Sequence, residues 1–310
     1  MCNGEELCSQ GRIQKMPANT NYYGFLKQPS DPAAKVWRYM DFAKYVSMLE
    51  TNALWFTRSD KLGASFEDKL GDPFEGTIAG ATRERNRRLH KWVASKKFGS
   101  LPTNDERDSH VEASIERDLR SNEWDRNWTY VNCWHMNEYE SAAMWRLYAR
   151  TNGAVAIQST YAKLRDCLPT EVNMGTVETG ELSDRRFEQR GLVYLGEVRY
   201  IDVAKEATTQ YGYRLSPFMY KRKSFQHENE VRAVLPTNPY SKTSIHLPYT
   251  PEDIKSKEPG WRVSVTLKDL LVRVYVAPTA PSWFYEAVEA ITRKYALSLE
   301  VEHSSLDQVP

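Results

Sequence analysis

The 310-residue chain sets 42 Lys and Arg against 41 Asp and Glu, is 41% hydrophobic and 27% charged, and is 12% aromatic through 9 Trp, 18 Tyr and 10 Phe. A net charge of +1 excludes the polycation of a dedicated nucleic-acid coat, and this much apolar side chain excludes a disordered chain. A mean hydropathy of -0.65, no apolar run near the ~20 residues of a membrane span, and Glu5 and Glu6 where a signal peptide needs positive charge together predict a cytoplasmic protein without a membrane partner.

Residues 1–33 lack any period and read as a flexible extension; 34–310 read as one α+β domain. Val36 to Tyr39 predicts a strand, Asp41 caps a helix with Phe42, Tyr45, Val46 and Leu49 on one face, Thr51 and Asn52 turn the chain, and Ala53 to Thr57 predicts a second strand. A tandem octapeptide follows, Asp60 to Glu67 and Asp68 to Glu75, too short for a solenoid and read as a local duplication lengthening a loop. An insertion at about 78–127 is helical in composition and split by charge. Seven basic residues against one acidic give +6 from Arg83 to Phe98, and eight acidic against three basic give -5 from Asp105 to Asp125. Such runs form solvated helix faces, but Arg83, Arg87, Arg88, Lys91, Lys96 and Lys97 with interleaved Trp92 also suit a nucleic acid or protein partner.

Strand pattern resumes at Thr129 to Trp134, with a helix from Ser141 ended by Thr151, Asn152 and Gly153. A strand at Ala154 to Gln158, a helix at Tyr161 to Leu168, a loop to Gly191 and a strand at Val193 to Ile201 come next. Ser216 and Pro217 predict a helix leading through Lys223 into a strand from Glu228 to Leu235. Strands at Arg262 to Thr266 and Val272 to Val276, a helix at Pro281 to Tyr295 and a strand at Leu297 to Val301 complete the chain.

Dinucleotide, P-loop, zincin and hydrolase signatures are absent. Cys2, Cys8, Cys133 and Cys167 lack paired spacing and read as reduced thiols, and the Cys133 and His135 pair reads as core rather than metal ligands. On a strand from Glu228, the residues Glu228, Glu230 and Arg232 share a face that could stabilise positive charge, hold a ribose hydroxyl or ligate a metal, or else simply face solvent. Arg38, between Trp37 and Tyr39, suits a phosphate or points into water. Trp134, Trp145 and Tyr148 suit either stacking under a flat ring or the core.

These motifs carry a resemblance. Trp37-Arg38-Tyr39, Leu54-Trp55-Phe56-Thr57, Gly71-Asp72-Pro73-Phe74-Glu75, Asn132-Cys133-Trp134 with Met144, Trp145 and Tyr148, Lys223 through Glu230-Val231-Arg232, and Val276-Ala277-Pro278 occur in an order that resembles the bacterial family catalogued as "domain of unknown function 2971", over roughly residues 35–306. Members resemble proteins of mobile-element and phage-defence settings, and the layout is similar to ADP-ribosyltransferase folds. The resemblance implies a split, mostly antiparallel sheet flanked by helices, and a toxin or antiviral defence enzyme, a transferase of the glycosyltransferase class using NAD as co-substrate. It implies that Arg38, Tyr39 and Arg232 hold the dinucleotide, that Trp134 or Tyr148 flanks nicotinamide, and that Glu230 is catalytic with Glu228 assisting. Here Asn132-Cys133-Trp134 replaces the Ser-Thr-Ser middle motif of many such enzymes. Two other readings compete: a metal-dependent nuclease using Asp72, Glu75, Glu228 and Glu230, and a non-catalytic sensor or nucleic-acid-binding defence protein acting through the basic segment.

Overall fold

The computed structural model describes residues 18–20, 25–62, 72, 74–97, 104–148, 153–178, 186–208, 215–237, 259–295 and 298–306. It is an α+β fold built on a large, mostly antiparallel sheet. The opening β-α-β unit follows its local signals. Strand β1 (Lys35–Asp41) ends at Asp41, whose carboxylate accepts the Lys44 N–H at 2.8 Å and starts helix α1 (Phe42–Thr51). Tyr45, Met48 and Leu49 bury one face of α1, and Asn52, left-handed at φ 45, turns the chain into β2 (Ala53–Arg58).

The insertion is a pair of helices, α2 (Gly80–Lys97) and α3 (Asn104–Asn127). Opposite charges meet between them: Arg87, which also donates to Glu84 of its own helix at 3.1 Å, donates to Glu112 at 2.9 and 3.1 Å, and Lys91 lies 3.4 Å from Asp108; the His90 ring lies 3.1 Å from the Asp118 carboxyl. Two of the seven basic residues, Arg87 and Lys91, thus pair across to α3, through exposed pairs that contribute little each.

Strand β3 (Thr129–Met136) is the hub of the sheet. Strand β10 (Glu230–Pro236) runs along one side of it. On its other side β3 pairs with β1 only at His135 and Met136 and with β2 only at Tyr130 and Val131, so the sheet splits between them. Beyond β1 lie β4 (Ala154–Thr160), β12 (Arg273–Val276) and β13 (Glu300–His303); beyond β2 lies β11 (Gly260–Ser264); beyond β10 lies β7 (Tyr194–Glu197). Leu54, Phe56, Trp134, Ile157, Val231 and Phe284 belong to the main core, the last of these from the helix Ser282–Lys294.

Several expectations change. The segment read as a loop to Gly191 contains a hairpin, β5 (Glu171–Glu178) with β6 (Arg186–Leu192); apolar alternation lasts only for Val172 and Met174, too little to announce a strand. The strand read from Val193 to Ile201 breaks at Val198, whose N–H turns to the Glu230 carbonyl at 2.9 Å, giving β7 and a short β8 (Arg199–Ile201). The helix read from Ser216 is one 3-10 turn (Ser216–Met219), because strand β9 (Tyr220–Arg222) pairs with β8 and the Arg222 N–H is taken by the Asp72 carboxylate at 2.9 Å. Finally, residues 18–20 and 25–33 are not a free extension. Asn19 bridges to Tyr194, Phe25 and Leu26 are buried, Lys27 pairs with Glu197, and Gln28 donates to the Leu195 carbonyl at 2.9 Å. Residues 1–17 and 21–24 lie outside the described residues. Among the described residues no helix is long and apolar enough to cross a membrane.

Candidate functional site: a buried carboxylate cluster

Alternation along β10 sets two faces. Glu230, Arg232 and Val234 stand opposite His135, Cys133 and Val131 and share their face, whereas Val231 stands opposite Trp134 on the other. Trp134 is 1% exposed in the main core, its indole N–H donating to Asn132 Oδ1 at 2.7 Å, so it does not flank a ligand beside Glu230. Glu228 does not belong to the strand. It ends a 3-10 segment (Lys223–Glu228), and Asn229, left-handed at φ 37, folds the chain back so that Glu228 comes beside Glu230. Asn229 is held there by its N–H to Gln226 O at 3.2 Å and its side-chain amide to Met136 O.

Two further elements reach the same point. Lys221 comes from β9. Glu75 comes from the second octapeptide copy, where Asp72 accepts the Phe74 N–H at 3.0 Å and Gly76, at φ 70 with Phe218 3.1 Å from where a Cβ would stand, turns the chain. Lys221 Nζ lies 2.7 Å from Glu228, 2.7 Å from Glu230 and 3.1 Å from Glu75. Arg232 forks onto Glu230 at 3.0 and 2.5 Å, reaches Glu75 at 2.7 Å and donates from its other terminal nitrogen to Phe218 O at 2.8 Å. All five residues are at most 5% exposed.

Three carboxyls around two cations leave one negative charge too many for a buried site, and one proton removes it. Glu228 is the natural holder: it shares a hydrogen bond with Glu230 and touches Lys221 but not Arg232. Burial, then the Glu230 hydrogen bond and charge, push its pKa up to about 8. Glu230 is held well below the usual carboxylate range despite burial, because Arg232 and Lys221 favour its ionised form. Tyr148, at the end of α4 (Ala142–Tyr148), is 48% exposed, yet its hydroxyl reaches in to Glu228 at 3.4 Å. Desolvation and the two carboxylates push that hydroxyl's pKa up, so it stays a donor.

The expected set therefore comes together in part. Glu228, Glu230, Arg232 and Tyr148 meet; Arg38 and Tyr39 do not join them. Arg38 stands across from Ile157 on the core side of β1 and donates to the Trp55 carbonyl at 3.1 Å, which Asn132 also meets at 2.8 Å. It closes the split in the sheet, and burial lowers its pKa to about 10. Tyr39 is buried edge-on to Trp145, its hydroxyl accepting the Ser141 N–H at 2.9 Å. Burial pushes the Cys133 thiol up, leaving a neutral SH. In the basic segment Arg88 lies 3.4 Å from Glu84 and Arg83 turns to Ile78 O at 3.4 Å, while Lys96 is exposed; the Lys97 side chain lies outside the described residues. Lys221 was missed by sequence reasoning, since a lysine in the basic run Lys221-Arg222-Lys223 carries no mark of burial.

Two clefts open outside the cluster itself. One of about 320 Å3 lies at Lys35, Met136, Asn137 and Asn229, and one of about 490 Å3 lies between Arg85, Arg88 and Lys205. Compared with family models, curated proteins and solved structures, the chain gives no match.

Proposed function

We propose that the protein cleaves the N-glycosidic bond of NAD, releasing nicotinamide and passing the ADP-ribosyl group to water or another acceptor. The observation that carries this reading is a pair of hydrogen-bonded carboxyls with pKa values driven apart, one of them in contact with the exposed Tyr148. Nicotinamide leaves from a cationic ribosyl bond, so the transition state places positive charge on the ribose ring, and a nearby carboxylate stabilises it most where water is excluded. Glu228 is the group placed to face that charge, because Tyr148 is its contact toward solvent. Glu230, locked between Lys221 and Arg232, sets the charge and position of Glu228. With Glu228 neutral the cluster balances; with Glu228 ionised it carries one net negative charge. Turnover therefore rises with pH through about 8.

The nuclease reading loses ground here. Lys221 Nζ sits amid the three carboxylates, where a bridging divalent cation would have to go, and Asp72 is committed to the Arg222 side chain at 2.7 Å. A structural reading has its own support in the near-complete burial and pairing of the cluster, which then serves to tie β9, β10 and the Glu75 turn together. Incubation of the purified protein with NAD, with nicotinamide followed by chromatography, separates the readings. Release by wild type that disappears in folded Glu228→Gln supports the proposal; no release from wild type, or equal release from both, refutes it.

A further inference from the structure

His135 is 4% exposed on β3, across from Glu230, with the Tyr39 ring 6.4 Å away. Its Nδ1 lies 2.6 Å from the Glu228 carbonyl oxygen. That oxygen can only accept, so Nδ1 carries a hydrogen. Burial holds the ring pKa below its ordinary value, against the Glu228 hydrogen bond and the Glu230 charge, with His227 adding a small push downward. The ring is neutral, and its one hydrogen is on Nδ1. Nε2 is then a bare lone pair, buried, with no partner among the described groups. An unmatched buried acceptor destabilises a fold, and this one stands beside a cluster in which the other polar side chains are paired.

We propose that His135 Nε2 is the proton acceptor of the site, taking the proton of the hydroxyl that attacks the ribose. The inference rests on the glycosidic reading above and names a group that reading does not use. An oxygen lone pair of water or of an acceptor alcohol forms the new bond to the anomeric carbon. The C–N bond breaks with its electron pair going to the pyridine nitrogen, and nicotinamide leaves neutral. The hydroxyl proton moves to Nε2, and the imidazolium, facing the Glu230 carboxylate, then releases it to solvent. No oxidant or reductant enters.

Two side chains separate the ring's two nitrogens. His135→Asn keeps an amide donor near the Nδ1 position for the Glu228 carbonyl and removes Nε2. His135→Gln puts an amide at Nε2. Both variants should lower kcat for nicotinamide release by about 10²–10⁴-fold, with KM for NAD unchanged and His135→Asn folded like wild type. A folded His135→Asn with wild-type kcat, or with raised KM alone, overturns the assignment. Ring-nitrogen NMR of the free protein reads the same point without turnover: a hydrogen on Nδ1 and none on Nε2 supports it, and a hydrogen on Nε2 overturns it. Wild type that releases no nicotinamide overturns the glycosidic reading and this one with it; active wild type with an indifferent His135→Asn overturns this one alone.

Discussion

Replacing Glu228 with Gln removes a charge that the folded protein does not want. In the folded state the carboxyl holds its proton to about pH 8, whereas in the unfolded chain it ionises near 4.5. Its folded pKa is raised, so its stabilising contribution is fully present below about 4.5, declines as pH rises and is gone above about 8. Each pKa unit is worth about 1.4 kcal/mol, so the full span amounts to about 5 kcal/mol, an upper figure because the proton is shared with Glu230. Gln reproduces the neutral acid: its oxygen can accept from Lys221 and Tyr148 while its amide donates to Glu230. Glu228→Gln should therefore match wild type near pH 4.5, exceed it by about 2–3 kcal/mol at pH 7 and gain further toward pH 9. Urea unfolding of both proteins at those three pH values is the measurement. A variant that loses stability relative to wild type as pH rises would show that Glu228 is ionised in the fold, and the charge argument for the site would fail.

Other outcomes follow from the same contacts. Lys221→Met leaves Glu75, Glu228 and Glu230 without their shared cation and should cost about 3–5 kcal/mol in chemical denaturation; a loss below 1 kcal/mol would mean the cluster is wet. Glu230 has a lowered folded pKa, so its contribution is present above about 4.5 and lost on acidification; Glu230→Gln should show its largest deficit at neutral pH and converge with wild type in acid. Asn229→Gly should leave stability within about 1 kcal/mol, while Asn229→Val, β-branched at φ 37, should cost 2 kcal/mol or more and lower nicotinamide release by displacing Glu228. Arg87→Glu should destabilise the insertion only slightly, and the deficit should shrink in high salt, as read by thermal melts at two ionic strengths.

What could be read from the chain was what local chemistry decides. Asp41 announced its helix through a cap, Asn52 its end through a left-handed turn, and β10 its pairing of Glu230 with Arg232 through a period of two. What could not be read depended on partners far away in sequence. Glu228 looked like a strand residue because nothing local shows that Asn229 turns left-handed, and that turn is fixed by Met136 O, 93 positions away. Trp134 and Glu230 looked like neighbours in one cleft, yet one step of strand alternation puts them on opposite faces. Tyr220 to Arg222 carry helix-compatible residues but are taken into strand by Asp72, 150 positions earlier. Arg87 and Lys91 of α2 looked free in the sequence, yet acidic residues of α3 lie against both.

The order in which strands find partners bears on how the chain is made. Strand β2 holds β3 at only two residues, and its full-length partner is β11, more than 200 residues further along. While the ribosome is still making the middle of the protein, the β2 edge bearing Leu54 and Phe56 has no strand to pair with, although both side chains end fully buried. An apolar strand edge left open for most of synthesis is a template for association with other nascent chains. Truncation before Gly260 should therefore yield aggregates rather than a smaller folded protein, and the full chain should depend on holding factors until β11 emerges.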